Sequence, residues 1–488
     1  MNENQETTTP LEQIIAIRKE KLKKLRESGT NPYPPRFEVT KQAAEIIKAY
    51  ETLKTGESNT DVHTVAGRVI SRRDMGKASF LDLSDATGKI QVYLRSDFIG
   101  PENFKIFNEM TDIGDFIGVK GTPFRTRTGE LSIKAEAFTV LGKSLRPLPE
   151  KWHGLKDTEI RYRQRYLDLI ANPDVKKVFE NRSKILQSIR NGLIEKGFLE
   201  VETPIMQSIA GGAAAKPFVT HHNALNIDLF LRIAPELYLK RLVVGGLEKV
   251  FEIGRNFRNE GIDRNHNPEF TMLELYQAYG DYNSMMALAE ELILKAASVI
   301  GKELTAPFKR LSYYEALKEA SGTDFAPLLG TGKIREIAME MKFDLPAGIT
   351  EKKILDQIFD RFVTEKLIEP TFVIDYPAAF STLAKSRPDK PEIAERFELY
   401  MNGMEIANAY SELNDPEEQE RRFKGQVEER SKGDEEAEPY DADFITALEH
   451  GLPPTGGLGI GIDRLVMVLA SVESIREVVL FPTLRPEQ

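Results

Sequence analysis

The chain has 488 residues, 41% of them hydrophobic and 29% charged, a composition typical of globular proteins and a length that predicts at least two domains. It contains no cysteine, which excludes disulfides, thiolate zinc sites and cysteine nucleophiles and fits a reducing, cytoplasmic environment. Its apolar runs fall short of the ~18 residues that a membrane-spanning helix needs, and its net charge of −10 argues against a general nucleic-acid binder.

The first 60 residues are expected to form a helical N-terminal extension. Within it, residues 18–27 read RKEKLKKLRE, with six basic and two acidic side chains. Charge alone leaves two interpretations open, a solvated helix or a basic arm that binds a polyanion.

Residues 61–145 have the pattern of a small β-barrel. Five short segments alternate apolar and polar residues, and turns containing glycine, aspartate or threonine separate them. Five strands in so short a segment favour the OB type of barrel. Residues 146–172 are then expected to link this barrel to a larger α+β domain at 173–488.

The stretch FRNEGIDRNHNPEF, residues 257–270, predicts two paired strands joined by a polar loop. Because side chains in a strand alternate between faces, four residues of the return strand share one face, namely Phe270, Met272, Glu274 and Tyr276. Arg258 beside Phe270 suits a nucleotide, with the guanidinium on phosphate oxygens and the ring on a base. A surface hairpin whose aromatic ring merely packs inward is the alternative.

A second hairpin is predicted around Asn402 and Gly403, because this dipeptide between apolar residues is a strong signal for a two-residue turn. In that register Tyr400 faces Glu405, and Glu398 lies diagonal to Glu405 on the same face. Neighbouring carboxylates repel each other unless a cation lies between them, so the pair predicts a Mg²⁺ site. A solvent-facing acidic hairpin is the alternative.

Three polar residues further along the same strand, Asn408, Tyr410 and Glu412, alternate together on the parity opposite to Glu405. They join Glu405 at one site only if the strand contains a bulge or twist near Ala407.

Near the C-terminus a glycine-rich strand, GGLGIGIDR at 456–464, precedes an apolar helix. Glycines let the backbone approach another group closely. Arg464 falls in the first turn of that helix, where the helix dipole disfavours a cation, so it suggests an anionic ligand, with a simple surface arginine as the alternative. The charged segment at 415–441 is predicted to be a solvated helix rather than a site.

Three segments, taken in order, resemble the three signature motifs of class II aminoacyl-tRNA synthetases: EKGFLEVETPIM at 195–206, the hairpin at 257–270 and the glycine-rich strand at 456–464. With a barrel in front, the chain is similar to the subclass that acts on lysine, aspartate or asparagine. The segments at 158–169 and 234–254 resemble the bacterial lysine-specific members. The resemblance implies an α+β multidomain protein, in which a five-stranded OB barrel precedes a catalytic domain with an antiparallel sheet, flanking helices and a helical insertion.

The resemblance also implies a reaction. ATP activates L-lysine to lysyl-adenylate, and the lysyl group then passes to the 3′ end of tRNA(Lys). Arg258 and Arg464 are the implied catalytic residues, and Glu398 and Glu405 are the implied ligands of Mg²⁺. The implied ATP site consists of Arg258, Glu260, His266, Phe270 and Arg464.

Lysine is favoured by the residues themselves as well, because its cationic end needs paired carboxylates in a closed pocket. Glu236, Glu274 and Glu412 are available, whereas an aspartate pocket would need an inward-facing arginine or lysine, which these strand faces do not show. By resemblance, the implied lysine site consists of Gly212, Glu236, Arg258, Glu274, Tyr276, Asn408, Tyr410 and Glu412.

The resemblance implies that the barrel reads the anticodon. Phe80 would stack on a base, although its position alone favours a barrel-core residue, and Gln91 and Glu130 would hydrogen-bond base edges. The basic segment at 18–27 would contact tRNA phosphates. A homodimer is implied too.

Three rival functions stay open on the sequence. A synthetase for aspartate or asparagine is opposed by the three acidic residues named for the lysine pocket. A lysine ligase acting on an elongation factor would resemble the catalytic domain but lack the barrel. A non-catalytic RNA-binding paralogue is opposed by the presence of Arg258, Arg464, Glu398 and Glu405.

Overall fold

The structure is a computed structural model in which the described residues are 9–149, 155–346, 348–431 and 437–486. The first eight residues of the predicted extension and residues 150–154 of the predicted linker lie outside these ranges. The chain falls into two compact units, Met1–Leu155 and Lys156–Gln488. Within the described ranges no helix is long and apolar enough to cross a membrane.

Among its described residues the first unit contains a five-stranded closed barrel and four helices. Its strands are β1 His63–Met75, β2 Ala78–Ser84, β3 Lys89–Arg95, β4 Phe116–Arg125 and β5 Leu131–Gly142. Its helices are α1 Pro10–Glu27, α2 Ala43–Ala49, α3 Ser96–Ile99 and α4 Pro101–Met110. The barrel closes in the order β1-β2-β3-β5-β4, which confirms the predicted OB-type barrel.

The barrel strands alternate as a closed barrel requires. Along β2 and β3, side chains such as Leu81, Leu83, Val92 and Leu94 are buried inside, and the residues between them face outward. The unit therefore has its own hydrophobic core.

Helix α1 confirms the helical expectation but changes the interpretation of its basic residues. Arg18 is buried, and its guanidinium donates to the backbone carbonyls of Ser144, Arg146 and Ile113 at 3.0–3.1 Å. Lys21 pairs with Asp112 at 2.5 Å. These two cations therefore anchor the helix within its own unit.

The second unit contains twelve helices among its described residues. They are α5 Thr158–Arg163, α6 Arg165–Ala171, α7 Pro173–Glu195, α8 Glu236–Val244, α9 Tyr282–Ser298, α10 Tyr313–Ser321, α11 Lys333–Glu340, α12 Glu351–Phe362, α13 Pro416–Ser431, α14 Ala442–Glu449, α15 Ile462–Ala470 and α16 Ile475–Val478. Residues 158–171 of the predicted linker thus form α5 and α6 and belong to this unit.

The strands of the second unit form two sheets. They are β6 Leu199–Glu200, β7 Met206–Gln207, β8 Val219–His222, β9 Ile227–Leu231, β10 Lys249–Phe257, β11 Glu269–Ala278, β12 Lys309–Ser312, β13 Thr371–Ile374, β14 Arg396–Met401, β15 Met404–Ser411 and β16 Thr455–Gly461. The main sheet has eight strands in the order β12-β13-β14-β15-β16-β11-β10-β6, and the small sheet has the order β7-β9-β8. The main sheet is antiparallel through its centre and parallel only where β6 and β12 pair at its two edges.

The main sheet packs one face on helices α7, α9 and α15. Leu273 and Leu275 of β11 point into this hydrophobic core, as do Leu458 and Ile460 of β16. Since neighbouring side chains on a strand point to opposite faces, the residues between them face the other side of the sheet. Helices α10, α11 and α12 share a separate hydrophobic cluster, and the helical insertion into the catalytic domain stays a prediction.

Candidate active site

A cavity of about 830 Å³ opens on the face of the main sheet opposite α7, α9 and α15. It brings together nearly all the residues predicted for the ATP and lysine sites. Those on its wall are Gly212, Glu236, Arg258, Glu260, His266, Phe270, Glu274, Tyr276, Glu405, Asn408, Tyr410, Glu412 and Arg464. Of the residues predicted for these two sites and the metal, only Glu398 is absent from the wall.

The hairpin of β10 and β11 places Arg258 against Phe270, as predicted. Arg258 follows the last residue of β10, and its guanidinium carbon lies 5.2 Å from the centre of the Phe270 ring. Its Nε is buried and has no hydrogen-bond partner among the described residues. Burial lowers the pKa of this guanidinium despite the nearby acids Glu260, Glu405 and Glu274. A buried cation with an unused donor is suited to an anionic ligand.

Arg464 and His266 meet on the cavity wall, although 198 positions separate them in the chain. Nη2 of Arg464 lies 2.9 Å from Nε2 of His266, and since a guanidinium only donates, Nε2 is the acceptor. The other ring nitrogen, Nδ1, then donates to Asp263 at 2.8 Å. The two residues predicted to bind distal phosphates are therefore hydrogen-bonded to each other, and the donors of this pair belong to Arg464, because both ring nitrogens of His266 are already used.

The neighbour of Arg464, Asp463, holds the glycine-rich motif to the rest of the sheet. Its carboxylate accepts the backbone N–H of Thr271 at 2.7 Å and pairs with Arg182 of α7 at 2.5 Å. Asp463 is buried, so it fixes the start of α15 and thereby the direction of Arg464.

The second hairpin has the predicted turn and register. Asn402 and Gly403 have φ angles of 52° and 69°, as a two-residue turn of type I′ requires, and Tyr400 pairs with Glu405. Ile406 is an extra residue between the pairs formed by Glu405 and Ala407. This bulge confirms the predicted irregularity, and it is why Asn408, Tyr410 and Glu412 share the cavity side with Glu405.

The predicted metal pair is divided by this geometry. Glu405 lines the cavity and contacts Arg464 at 3.4 Å, and burial together with Glu398 raises its pKa. Glu398 instead accepts from Arg396 at 2.5 Å and from the hydroxyls of Tyr376 and Tyr400 at 2.8 and 2.7 Å. Glu405 therefore fits a Mg²⁺ ligand, whereas Glu398 reaches a shared cation only if Arg396 is displaced.

The acidic end of the cavity holds a cation that the sequence analysis missed. Lys240 of α8 donates to Oε1 of Glu236 at 2.6 Å and forms an ion pair with Oε2 of Glu412. Tyr410 also donates to Oε1 of Glu236, at 2.6 Å. The sequence analysis compared only the strand faces, where it found no inward-facing arginine or lysine, whereas Lys240 lies on helix α8.

Glu412 nevertheless keeps an oxygen for a ligand. Its Oε1 is buried and has no hydrogen-bond partner within the described part of the chain. A Cβ at Gly457 would lie 1.9 Å from that oxygen and 2.6 Å from the Tyr276 ring. Position 457 must therefore be glycine, because the Glu412 carboxylate and the Tyr276 ring pack directly against its backbone.

Glu274 lies between the arginine end and the acidic end of the cavity. Burial and the neighbouring Glu236 raise its pKa to about 8, while Arg258 and a hydrogen bond from Tyr276 at 3.3 Å oppose the shift. At neutral pH the protonated form of this carboxyl group is therefore favoured.

One wall of the cavity comes from the charged segment that was predicted to lie away from any site. The helix α13 is present, but Glu438 beyond it is buried, lines the cavity and accepts the N–H of Gly212. Its Oε2 has no hydrogen-bond partner among the described residues, and burial and Glu236 raise its pKa to about 7. The sequence analysis missed Glu438 because it lies in a strongly charged segment, and such a segment predicts exposure to solvent.

In the barrel unit, Phe80 lies outside the core cluster and stacks on Tyr93, with ring centres 4.6 Å apart. Tyr93 also contacts Phe124 at 5.8 Å. Gln91 shares the outward face of β3 with Tyr93, and its Oε1 accepts from Ser132 at 2.8 Å. Glu130 is exposed just before β5. An aromatic surface with polar neighbours is the usual platform for single-stranded nucleic acid.

Comparisons with known proteins agree with these features. The family model described as class II tRNA synthetases (D, K and N) matches residues 157–485, and that of an OB-fold nucleic acid binding domain matches residues 63–141. A lysine–tRNA ligase of Pelotomaculum thermopropionicum is 53% identical, with 98% of this chain and 96% of that protein aligned. A lysine–tRNA ligase of Bacillus subtilis is 49% identical over 99% of this chain and 100% of that protein.

The sheet, the cavity and the three motifs define a class II aminoacyl-tRNA synthetase, which confirms the resemblance seen in the sequence. The chain belongs to the family that serves aspartate, lysine and asparagine. It is an ATP-dependent ligase that joins an amino acid to tRNA.

A methyl group at Gly457 tests the close approach of Glu412 to the backbone. We expect Gly457→Ala to raise the KM for the amino acid by about tenfold or more, because the carboxylate must move, and to change the KM for ATP much less. ATP–pyrophosphate exchange measures both constants. Gly425→Ala on α13, where the added Cβ meets nothing within 4 Å, is the control. Equal effects of the two substitutions would contradict this role of Gly457.

The raised pKa of Glu274 predicts a pH dependence. A carboxyl group binds a cation only when ionised, so the KM for a cationic amino acid should fall as pH rises through about 8. Glu274→Gln is neutral at every pH, so the ratio of its KM to that of the unmodified enzyme should grow from pH 6.5 to 9. Comparing the two enzymes at each pH cancels the titration of the substrate, and a constant ratio would exclude titration of Glu274 in this range.

Proposed function

We propose that this chain is a lysine–tRNA ligase, which activates L-lysine with ATP and transfers it to the 3′ end of tRNA(Lys). The observation that carries the proposal is the acidic end of the cavity, where Glu236, Glu274 and Glu412 adjoin the arginine end within one enclosed space. The names of the full-length relatives support the same substrate.

The charges of the pocket favour lysine over aspartate and asparagine. Lys240 neutralises one of the two carboxylates that it contacts, and Oε1 of Glu412 is left as a buried acceptor. A buried carboxylate oxygen stabilises an ammonium and repels a second carboxylate. The aspartate side chain is therefore excluded by charge, and asparagine offers only a neutral amide.

We assign the first step to the arginine end of the cavity. The lysine carboxylate forms a bond to the α-phosphorus, and the bond from that phosphorus to the bridging oxygen breaks, so pyrophosphate leaves with the electron pair. The nucleophile needs no base, because a free α-carboxyl has a pKa of ~3.5 and is ionised at pH 7. Arg258 would neutralise the reacting phosphate, a role that its buried Nε without a partner among the described residues supports, and Arg464 beside His266 would hold the distal phosphates.

The remaining contacts follow the same geometry. Phe270 stacks on the adenine with Arg258 at its side, and Glu260 at the exposed rim meets the adenine or the lysine amino group. Asn408 contacts the lysine carboxylate through the part of its amide that Arg396 does not use. Gly212 meets the α-amino end, and Tyr276 and Tyr410 orient the lysine side chain.

Mg²⁺ is proposed as the cofactor that accompanies ATP. Glu405 would hold it on the cavity wall, and Glu398 would join after separation from Arg396. Bound there, the ion supplies positive charge that neutralises phosphate oxygens.

We propose that the barrel binds the anticodon of tRNA(Lys) through Phe80, with Gln91 and Glu130 near the bases. The stacked aromatic pair on the outer barrel face supports this role. The exposed basic residues of α1, Lys19, Lys23, Lys24 and Arg26, would contact phosphates, whereas Arg18 and Lys21 are used inside the unit. The presence of the barrel opposes a ligase that modifies an elongation factor.

We also propose that the chain acts as a homodimer in the cytoplasm, where charged tRNA is used. Around the first motif, several large apolar side chains are about half exposed, namely Ile194, Leu199, Ile205 and Met206. An apolar patch of this kind beside the short edge strand β6 suits a second copy of the chain.

ATP–pyrophosphate exchange with each of the standard amino acids tests the proposal. We expect exchange with lysine alone at physiological concentration. Exchange that depends on aspartate or asparagine would overturn the assigned substrate, and failure to bind ATP in equilibrium dialysis would favour a non-catalytic paralogue.

The substitution Glu236→Gln tests the pocket within the same assay. We expect the lysine KM to rise by about tenfold or more with ATP binding unchanged, because one carboxylate that surrounds the ammonium is lost. Glu340→Gln, at the exposed end of α11, is the matched control and should leave both unchanged. An equal loss of ATP binding in the Glu236 variant would contradict its assignment to lysine.

The substitution Phe80→Ala tests the barrel. Because stacking contributes ~1–3 kcal/mol per base, the KM for tRNA(Lys) in aminoacylation should rise by roughly tenfold while lysine-dependent exchange is unchanged. Phe116→Ala removes an exposed aromatic ring of the same barrel that contacts Arg68 instead of Tyr93. Equal effects of the two variants on tRNA would contradict a specific role for Phe80.

A further inference from the structure

Lys240 is a fully buried cation next to the acidic end of the cavity in the second unit. Its side chain is 0% exposed, and its ammonium lies 2.6 Å from Oε1 of Glu236 and in an ion pair with Oε2 of Glu412. Three aromatic ring centres surround the same nitrogen at 5.5–5.9 Å, those of Tyr276, Tyr410 and Phe444. The ammonium is therefore enclosed by these carboxylates and rings, and Lys240 is not among the residues on the cavity wall. It can affect the reacting atoms only through the carboxylates.

Every element packed around Lys240 contributes a polar or charged group. Glu236 comes from its own helix α8, Glu274 and Tyr276 come from β11, Tyr410 and Glu412 come from β15 and the residue after it, and Glu438 comes from the segment before α14. Burial alone would lower the pKa of Lys240, but Glu236 and Glu412 raise it above its ordinary value, so the ammonium stays charged.

The two carboxylates that contact Lys240 differ from an ordinary buried ion pair. Two negative charges meet one positive charge, so one negative charge is uncompensated inside a region from which water is largely excluded. Oε1 of Glu412 carries no hydrogen bond among the described residues, although the residue is 1% exposed. Such an acceptor is costly unless a ligand with a donor completes it.

We propose that Lys240 is a positioning residue of the amino-acid pocket, which orients Glu236 and Glu412 and offsets the charge of one carboxylate, so that the other is left for the ammonium of the substrate. This inference rests on the proposed function, because it takes lysine as the substrate. Lys240 acts through the two carboxylates and touches neither the substrate nor ATP.

The role follows from what each carboxylate would do without the lysine. Burial and the charge of Glu236 raise the pKa of Glu412, and Lys240 opposes that shift. Removing the cation leaves two adjacent buried carboxylates without a positive partner, which favours a proton shared between them. The pair also loses the central donor that separates and directs its oxygens, so the position that receives the substrate ammonium is no longer defined.

The first test is Lys240→Met in lysine-dependent exchange. We expect the lysine KM to rise by at least about tenfold with the ATP KM changed less than about twofold. The increase should shrink as pH rises from 6.5 to 9, because the shared proton leaves and negative charge returns. Lys240→Arg keeps the charge and should recover part of the loss. An unchanged lysine KM in folded Lys240→Met, or an equal rise for ATP and lysine, would overturn the proposal.

A second test does not depend on the folding of that single variant. Glu412→Gln retains an acceptor oxygen but leaves Glu236 and Lys240 as a balanced pair, which itself offers no net charge to the ammonium of the substrate. Adding Lys240→Met to Glu412→Gln restores one uncompensated negative charge, so the double variant should bind lysine better than Glu412→Gln alone, by about threefold or more. A double variant that binds lysine no better would overturn the proposal, since a purely structural lysine predicts a further loss.

Lys143 provides the matched control for burying a methionine in place of a paired lysine. Its side chain is also 0% exposed and pairs with Asp112 and Asp115, but it lies in the barrel unit. Lys143→Met should lower thermal stability without changing the lysine KM in exchange. The two hypotheses fail in different ways. If the unmodified enzyme exchanges with another amino acid, the proposed function is wrong. If it exchanges with lysine but Lys240→Met has no effect, only this inference is wrong.

Discussion

The site depends on one constraint, the alternation of side chains along the central strands of the main sheet. On β11, Leu273 and Leu275 enter the core that the sheet forms with its covering helices, so Glu274 and Tyr276 must face the cavity. A shift of one residue would bury the carboxylate among leucines and expose the leucines to ATP. Strong burial of the apolar face thus fixes the chemistry of the other face.

The same constraint explains the bulge in β15. Without the extra residue at Ile406, Glu405 and Glu412 would lie on opposite faces, and the proposed metal ligand and the proposed lysine pocket would not share a cavity. The bulge also turns both Ile406 and Ala407 toward the core, which secures the irregular stretch by burial. A local defect in pairing therefore joins the two functional parts of the site.

Local pattern was sufficient to predict the elements, and the features that it missed depend on residues far apart in the chain. The turn at Asn402 and Gly403, the paired register that follows it and the barrel strands were all visible in sequence, because turn chemistry and alternation act over a few residues. Arg396 and Tyr400 share the strand face of Glu398, two residues before and after it, but alternation alone does not show that they and the more distant Tyr376 occupy its oxygens. A strand pattern also assigns a carboxylate to a face without saying which partner meets it there.

Lys240 and Gly457 illustrate the same limit from opposite directions. Lys240, on a helix above the sheet, places a positive charge beside Glu412. Gly457, on the strand below, has no side chain and so leaves room for the Glu412 carboxylate. Glycine in the third motif was interpreted as freedom for the backbone to approach a ligand, whereas at position 457 it is a side chain of the protein itself that approaches. Burial raises the pKa values of several acids in this pocket, and neighbouring acids such as Glu236 raise them further. In the proposed function the ammonium of the substrate relieves the repulsion between these acids, so that repulsion favours a cationic substrate.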